Sequence, residues 1–468
     1  MQHLPKFMTY KDHSKAILTL GLPLIGGHLG QIAIGATDTI MVGWFSVEAL
    51  AAVTLASTYF FVLFIFGSGF AFAIMPMVAA FAAEEDETAI RRATRMGLWL
   101  SMAFGLLVLP VMFWSEPILR LLGQSDALAS EAAKYLRVAG FGVVPALLVM
   151  VLKSYLAALE RTQIVLWITL IAAVVNALAN YALIFGNWGA PALGVVGAAT
   201  ASVITQSVSL VGVVLYILLI VPQHQLFVRM WRADTQMLLR VFRLGLPIGL
   251  TTLSEVGLFA ASAVMMGWLG TIPLAAHGIA VQLASITFMV HLGLSNVATI
   301  RAGNAYGRRD RAHMARGGIA VIVMSVFFAA LTTVVFVGFP EPLIDLFMQD
   351  SEPARLQILA IGTGLLIMAA LFQLVDGAQA IALGLLRGVQ DTKIPMWMAA
   401  FSYWGVGVPS SYLLGFTFGF EGIGVWAGLV LGLGVASVLL NARFWGVTLK
   451  KVGPTPPLPD PSALQKAV

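Results

Sequence analysis

Twelve stretches of this chain run apolar for about twenty residues or more, the length that carries a helix across a bilayer. The first covers residues 16–43, the eleventh 394–418 and the last 423–447. Inside hydrocarbon every backbone N–H and C=O needs a partner within the protein, so only helices or closed barrels can span. Barrel strands alternate polar and apolar over about ten residues, and these runs do not. The expected fold is all-α and integral to the membrane, with twelve transmembrane helices. Composition agrees: 59% of the 468 residues are hydrophobic and 10% are charged, against about 25% charged in soluble domains. The absence of cysteine excludes disulfides, thiolate metal sites and a cysteine nucleophile. The N-terminal MQHLPKFMTYKDHSK lacks a cleavable signal pattern, so the first span is expected to be retained.

The net charge of +5 reads as an orientation signal, because the basic residues lie between the apolar runs. No nucleic-acid partner is expected. With a cytoplasmic N-terminus, 23 of the 27 basic residues fall on the inner side, Lys6, Lys153, Arg301 and Lys466 among them. Only Arg120, Lys134, Arg137 and Arg355 fall outside. The expectation is a multi-pass protein of the cell inner membrane with both termini cytoplasmic. The Pro-rich tail, 453–468, is expected to be disordered.

The chain also repeats itself. Shifted by 224, residues 20–56 lie over 244–280 without a gap and share GLP, GW and LAA. There are 13 identities in 37 positions, where this composition gives roughly 4 by chance. A weaker echo sets 156–167 over 386–397 at an offset of 230. Two six-helix lobes are therefore expected, 1–228 and 229–452. Six is even, so both lobes enter the membrane the same way and are related by an axis along its normal. Alternating-access transporters use such repeats, with the site between them.

Three intramembrane acids break the repeat. Asp38 falls on Ser262, Glu255 on Gln31 and Asp376 on Ala146. A carboxylate at membrane depth costs roughly 2.5–3.5 kcal/mol on insertion scales, so each needs a reason to be there. Neither Glu255 nor Asp376 has a Lys or Arg within four residues, which excludes an ion pair along its own helix. Each must be protonated, hydrated in a cavity, or bound to a cation. The bland alternative is a neutral acid hydrogen-bonded across helices. His277 and His291 read first as packing residues. Gln31, Asn176, Asn180, Gln282, Asn296 and Gln373 either line a wet cavity or join helices, and spacing does not separate the two. Gly67, Gly69, Gly432 and Gly434 read as helix-packing glycines. EEDETAIRRATR and RAGNAYGRRDRAHMAR, after the second and eighth spans, read as matching solvated anchors.

GLPLIGGHLGQIAIGATDTIMVG resembles the first span of the multidrug and toxic compound extrusion (MATE) family, with its GLP and D-T-x-M-x-G elements. GLPIGLTTLSEVGLF resembles the seventh span of the NorM-like branch, and VDGAQAIALGLLRGVQDTKIPM the tenth. The resemblance runs from about residue 12 to 450. It implies a MATE-like fold of two pseudo-symmetric lobes and cation-coupled efflux of organic, often cationic compounds by alternating access. It implies a monovalent cation site, Na+ or H+, on Glu255 and Asp376, and gives Asp38 a role in substrate or proton coupling. Two departures remove oxygen ligands: Ala275-Ala276-His277-Gly278 stands where the family often reads A-A-H-Q, and Phe372 stands where an aromatic hydroxyl is common.

The leading expectation is a secondary multidrug antiporter acting as a monomer on drug-like molecules, with no cofactor beyond the coupling ion. A lipid or oligosaccharide flippase of the same superfamily is the alternative, and it would want a cationic cavity. An intramembrane enzyme fares worst, since no HExxH, phosphate loop or usable Ser-His-acid set is present.

Overall fold

The computed structural model describes residues 8–348 and 353–453, and every described element is a helix. Lys6, Lys466 and the tail from 454 onward lie outside the described residues. The first half contains α1 (Tyr10–Phe45), α2 (Val47–Ala83), α3 (Glu87–Phe113), α4 (Asp126–Ala158), α5 (Thr162–Phe185) and α6 (Val195–Ile220). The second contains α7 (Thr235–Leu269), α8 (Thr271–Gly307), α9 (Arg311–Gly338), α10 (Arg355–Gly388), α11 (393–417) and α12 (Glu421–Lys451). Among the described residues, eleven of these are helices long and apolar enough to cross a membrane, α12 with one π segment at Phe444–Thr448 near its end. The other is α11, expected over 394–418, which is helical throughout but alternates α turns with π turns at Phe401–Gly407 and Leu413–Thr417. Pro409, which lacks the N–H that would bond back to Gly405, sits between the two π segments.

The sequence repeat reappears as repeated geometry. Asp86 caps α3 by accepting from the Ala89 N–H at 2.8 Å, and Asp310, 224 residues on, caps α9 by accepting from His313 at 2.9 Å. The residues before these caps, Glu85 and Arg309, both take left-handed backbone, at φ 57° and 56°. Glu160 and Gln390, 230 apart, form a second such pair at 62° and 61°. The helix contacts follow suit: α2 lies along α4 as α8 lies along α10, and α4 along α6 as α10 along α12.

The halves meet through glycines at one end of the bundle. A Cβ on Gly69 of α2 would stand 2.4 Å from the Gly245 carbonyl oxygen and the Gly249 nitrogen of α7. The counterpart contact sets Gly293 of α8 against Ile25 of α1, where a Cβ would come within 2.4 Å. Toward the other end the same helix faces have no partner. On α8, Thr271, Ala275, Gly278, Gln282 and Ile286 are exposed, and this stripe continues into buried Gly293 and Val297. On α2, Thr54, Thr58 and Phe61 are exposed, and their stripe continues into Gly69. A cleft therefore opens between the halves on the side of the turns at Ser46 and Gly270, and closes at the level of the glycine crossings.

Of the packing glycines read from the sequence, Gly67, Gly69 and Gly432 hold: a Cβ would meet Phe104 at 2.4 Å, α7 backbone at 2.4 Å and the Gly407 Cα at 2.7 Å. Gly434 does not, since its Cβ would make only ordinary contact with Val375 at 3.8 Å. The charged turns are not wholly solvated either. Arg301 is 8% exposed and lies within hydrogen-bond distance of His13 (2.9 Å) and His313 (3.2 Å), tying α8 to α1 and α9. Lys153, counted on the inner side, belongs to α4 and donates to Thr169 Oγ1 on α5 at 2.8 Å.

Gly69→Leu is expected to destabilise the protein by about 1–3 kcal/mol or more, because backbone cannot move aside as a side chain can. Gly212→Ala, where nothing lies within 4 Å of the new Cβ, should leave the melting temperature in detergent unchanged or raised. Equal melting temperatures for the two variants would contradict the crossing.

Candidate functional site

Glu255 lies six residues beyond Gly249 on α7, about 9 Å from the crossing toward the open end of the cleft. It meets α10 there: Gln379 Nε2 donates to Glu255 Oε1 at 2.8 Å. Gln379 stands one turn from Asp376 on the same face of α10, and Asp376 is within electrostatic reach of Glu255. The Tyr403 hydroxyl, from the first π segment of α11, donates to Gln379 Oε1 at 2.6 Å. Gly257 lets α11 come this close, since a Cβ would stand 2.7 Å from the Trp404 ring. The amide is thus fixed on both sides, presenting its N–H to Glu255.

Asp376 is 2% exposed, and its Oδ1 has no hydrogen-bond partner among the described residues. A buried carboxylate oxygen left in this way costs free energy unless something binds it. The surrounding wall is aromatic. Phe372 packs edge-on against Phe259 and Trp426, each at 5.7 Å, and Trp426 Nε1 donates to His277 Nδ1 at 3.1 Å. His277 is therefore a packing residue. An aromatic hydroxyl does reach this site, from Tyr403 rather than from position 372.

The first half holds its acid differently. Asn176 and Asn180, one turn apart on α5, both donate to Asp38 Oδ1, at 3.0 and 2.6 Å. Asp38 faces α5 and is half-buried, so its carboxylate turns into the first half rather than to lipid. By the repeat it stands level with Ser262, about 10 Å nearer the open end than Glu255. The two acidic sites occupy different halves and different depths.

The other polar candidates divide. Gln373 joins helices by donating to the Ala284 carbonyl at 2.9 Å. His291 sits against Ser325 Oγ at 2.9 Å and edge-on to Phe328, under Gly377, where no Cβ would fit. Asn296 lies 3.0 Å from His28 Nε2 across the contact between halves. Gln31 and Gln282 are exposed. Sequence reading missed Gln379, Tyr403, His28 and Lys153. The three-residue spacing from Asp376 could have flagged Gln379; nothing local marks Tyr403.

A family model described as MatE matches residues 23–182 and again 247–413. Its two copies begin 224 residues apart, the spacing of the repeat. The chain belongs to the MatE family. This MATE chain is NorM-like: the probable multidrug resistance proteins NorM of Agrobacterium fabrum strain C58 and Rhizobium meliloti strain 1021 are 46% and 45% identical to it. Those matches cover 92% and 96% of this chain and 94% and 96% of the relatives. Among solved structures, the eukaryotic MATE transporter AtDTX14 superposes with TM-score 0.84 at 18% identity. An outward-facing multidrug resistance MATE family transporter superposes with TM-score 0.83 at 21% identity. Each covers 94% of this chain and 97% of its own. The fold is the all-α MATE membrane fold.

The residues present fit a monovalent cation or a proton. Among the described residues no group of three or more His, Cys, Asp or Glu could hold a metal. Two carboxylates, one with an open oxygen, offer the hard oxygen ligands such an ion takes.

The Asp38 cluster makes a stability prediction. Asn180→Ala removes the shorter of two donors to a half-buried carboxylate, and should cost about 1.5–3 kcal/mol. In a double-mutant cycle with Asp38→Asn, thermal unfolding in detergent should show a coupling above about 0.5 kcal/mol. Additive effects would mean that the two side chains do not support each other.

Proposed function

We propose that this chain is a secondary active multidrug efflux antiporter, exporting organic, often cationic compounds in exchange for inward Na+ or H+. The observation that carries the reading is Asp376 Oδ1, a buried carboxylate oxygen without a partner, beside a second carboxylate and an amide that is already committed. Two like charges buried together are costly unless a proton or a cation joins them, and Arg387, within electrostatic reach of Glu255, offsets part of that cost from one side only. Loading the Glu255–Asp376 pair removes negative charge that a cationic drug would otherwise seek. That gives ion and drug a reason to compete.

The remaining parts follow. The lobes are 1–228 and 229–452, and they rock about the glycine crossings to give alternating access. With both termini cytoplasmic in the inner membrane, the cleft described here opens outward. Asp38 serves substrate or proton coupling in the first lobe, and the protein works as a monomer on drug-like molecules. The names carried by its relatives, probable multidrug resistance protein NorM, support the substrate class. The flippase alternative is weaker, because Asp38 in one half and Glu255 with Asp376 in the other place acids inside the membrane, where a phosphate group would be repelled.

Proteoliposomes with independently imposed Na+ and pH gradients test this reading. One gradient should drive efflux of a cationic dye, and the other should not be required. Glu255→Gln and Asp376→Asn should each reduce ion-driven efflux by at least about tenfold, and the double variant should be no worse than either. Retained coupling in a single variant would move the coupling site, with Asp38 the next candidate. Asp38→Asn keeps an acceptor for Asn176 and Asn180, so it should fold while losing most export. An exporter indifferent to it would make Asp38 a packing residue.

A further inference from the structure

The charged end of the bundle holds a cavity that the efflux reading does not use. It encloses about 750 Å³ between the start of α3, the segment joining the two halves and the start of α7. Five arginines line it: Arg91, Arg92 and Arg95 from α3, and Arg229 and Arg232 from the joining segment. The one carboxylate among the lining residues is Asp234. It is already engaged, ion-paired with Arg92 and capping α7 by accepting from the Met237 N–H at 3.1 Å.

The cavity is built rather than incidental. Arg95, 8% exposed, donates to the Leu226 carbonyl at 3.0 Å, and Trp99 Nε1 donates to the Met230 carbonyl at 2.9 Å. These two bonds pin the joining segment across α3. Gln225 and Arg229 both take left-handed backbone, at φ 43° and 58°, and turn the chain around the space. Arg91, Arg229 and Arg232 lie close enough to Arg95 to repel it. Two arginines elsewhere are offset by acids: Arg443 holds Asp391 with two bonds, at 2.8 and 3.1 Å, and Arg355 holds Asp345 at 2.7 Å. Here four guanidinium groups converge, and among the described residues none of them is ion-paired; Arg232 feels only the Asp234 that Arg92 already holds. Trp231, 78% exposed and next to Arg232 in the joining segment, is the residue type that marks the headgroup level of a bilayer.

We propose that this cavity binds a phosphate ester, the arginines gripping its oxygens as paired forks, presented by an acidic phospholipid headgroup or by a free phosphate compound. Guanidinium matches phosphate geometry in this way, and basic pockets at the membrane boundary hold acidic headgroups. The volume falls in the range of small-ligand sites, about 300–1,000 Å³. The inference does not depend on the efflux reading.

Calorimetric titration of the full chain in non-ionic detergent tests it, with dihexanoyl phosphatidylglycerol as probe and dihexanoyl phosphatidylcholine as control. Phosphatidylglycerol should bind saturably, and the combined Arg91→Gln, Arg229→Gln and Arg232→Gln variant should bind at least about tenfold more weakly. These three side chains are exposed or half-buried and cap no helix. Arg229→Gln alone should move the affinity the same way by less. A comparison variant, Lys393→Gln with Lys450→Gln and Lys451→Gln, removes equal charge from exposed sites elsewhere and should bind as wild type. If inorganic phosphate competes at the same site, the free compound is the source; if only the lipid binds, the headgroup is. Equal weakening in both triple variants, or equal binding of phosphatidylcholine, would overturn the proposal.

Discussion

The structure depends on how closely α2 meets α7 and α8 meets α1. Between helices in lipid there is no hydrophobic driving force, because lipid tails are as apolar as leucine, so association rests on close packing. Gly69 against Gly245 and Gly249 brings backbone onto backbone, and Gly293 repeats the contact against Ile25. Both crossings lie in the same end of the bundle. The stripes that pack there run on toward the other end with nothing to touch, and the cleft is the result. A helix pair that met along its full length would leave no space for a solute.

Within that frame the repeat supplies scaffold and its violations supply chemistry. The turn geometry at Glu85 and Arg309, the caps at Asp86 and Asp310 and the glycine crossings all come in pairs. The acids do not. Asp38 accepts from two neutral amides on one neighbouring helix, and the oxygen left over there belongs to an amide, Asn180 Oδ1. Glu255 and Asp376 share a single glutamine that Tyr403 holds in place, and one of their oxygens is left over. Symmetric folding thus coexists with two acidic sites of different make, one leaving an amide oxygen over and the other a carboxylate oxygen.

What was legible in the sequence was whatever depends on one helix or on the repeat. Span length, the 224-residue offset and the three unmatched acids need no tertiary information. The partners of the acids were harder. Tyr403 reaches Gln379 only because α11 changes to π turns there and Gly257 yields space for Trp404, and neither condition has a local signature. The glutamines and asparagines looked alike in sequence, yet Asn176 and Asn180 hold a carboxylate while Gln373 donates to the backbone carbonyl of Ala284 on α8. Amide side chains serve either end, so their spacing along one helix cannot tell which. Lys153 and Arg301 carry more than an orientation signal, and that was hidden for a related reason. A long basic side chain near a helix end looks like a solvated anchor, and only the neighbouring helix shows that it bonds inward.

The same distinction separates orientation from recognition on the charged face. Fixing which way a membrane protein inserts needs only an excess of basic residues on one side, and their arrangement is indifferent to that task. Arrangement is far from indifferent here. Arg443 and Arg92 each hold an acid, while Arg91, Arg229 and Arg232 gather with Arg95 around one concavity and repel it. Repulsion of that kind is a standing cost that insertion does not require. It is carried by a segment bent through two left-handed residues and bonded to α3 at two carbonyls, which keeps the charges from spreading apart. A charge cluster held together against its own repulsion is physically different from a solvated anchor, and an anion of the right shape is what removes the cost.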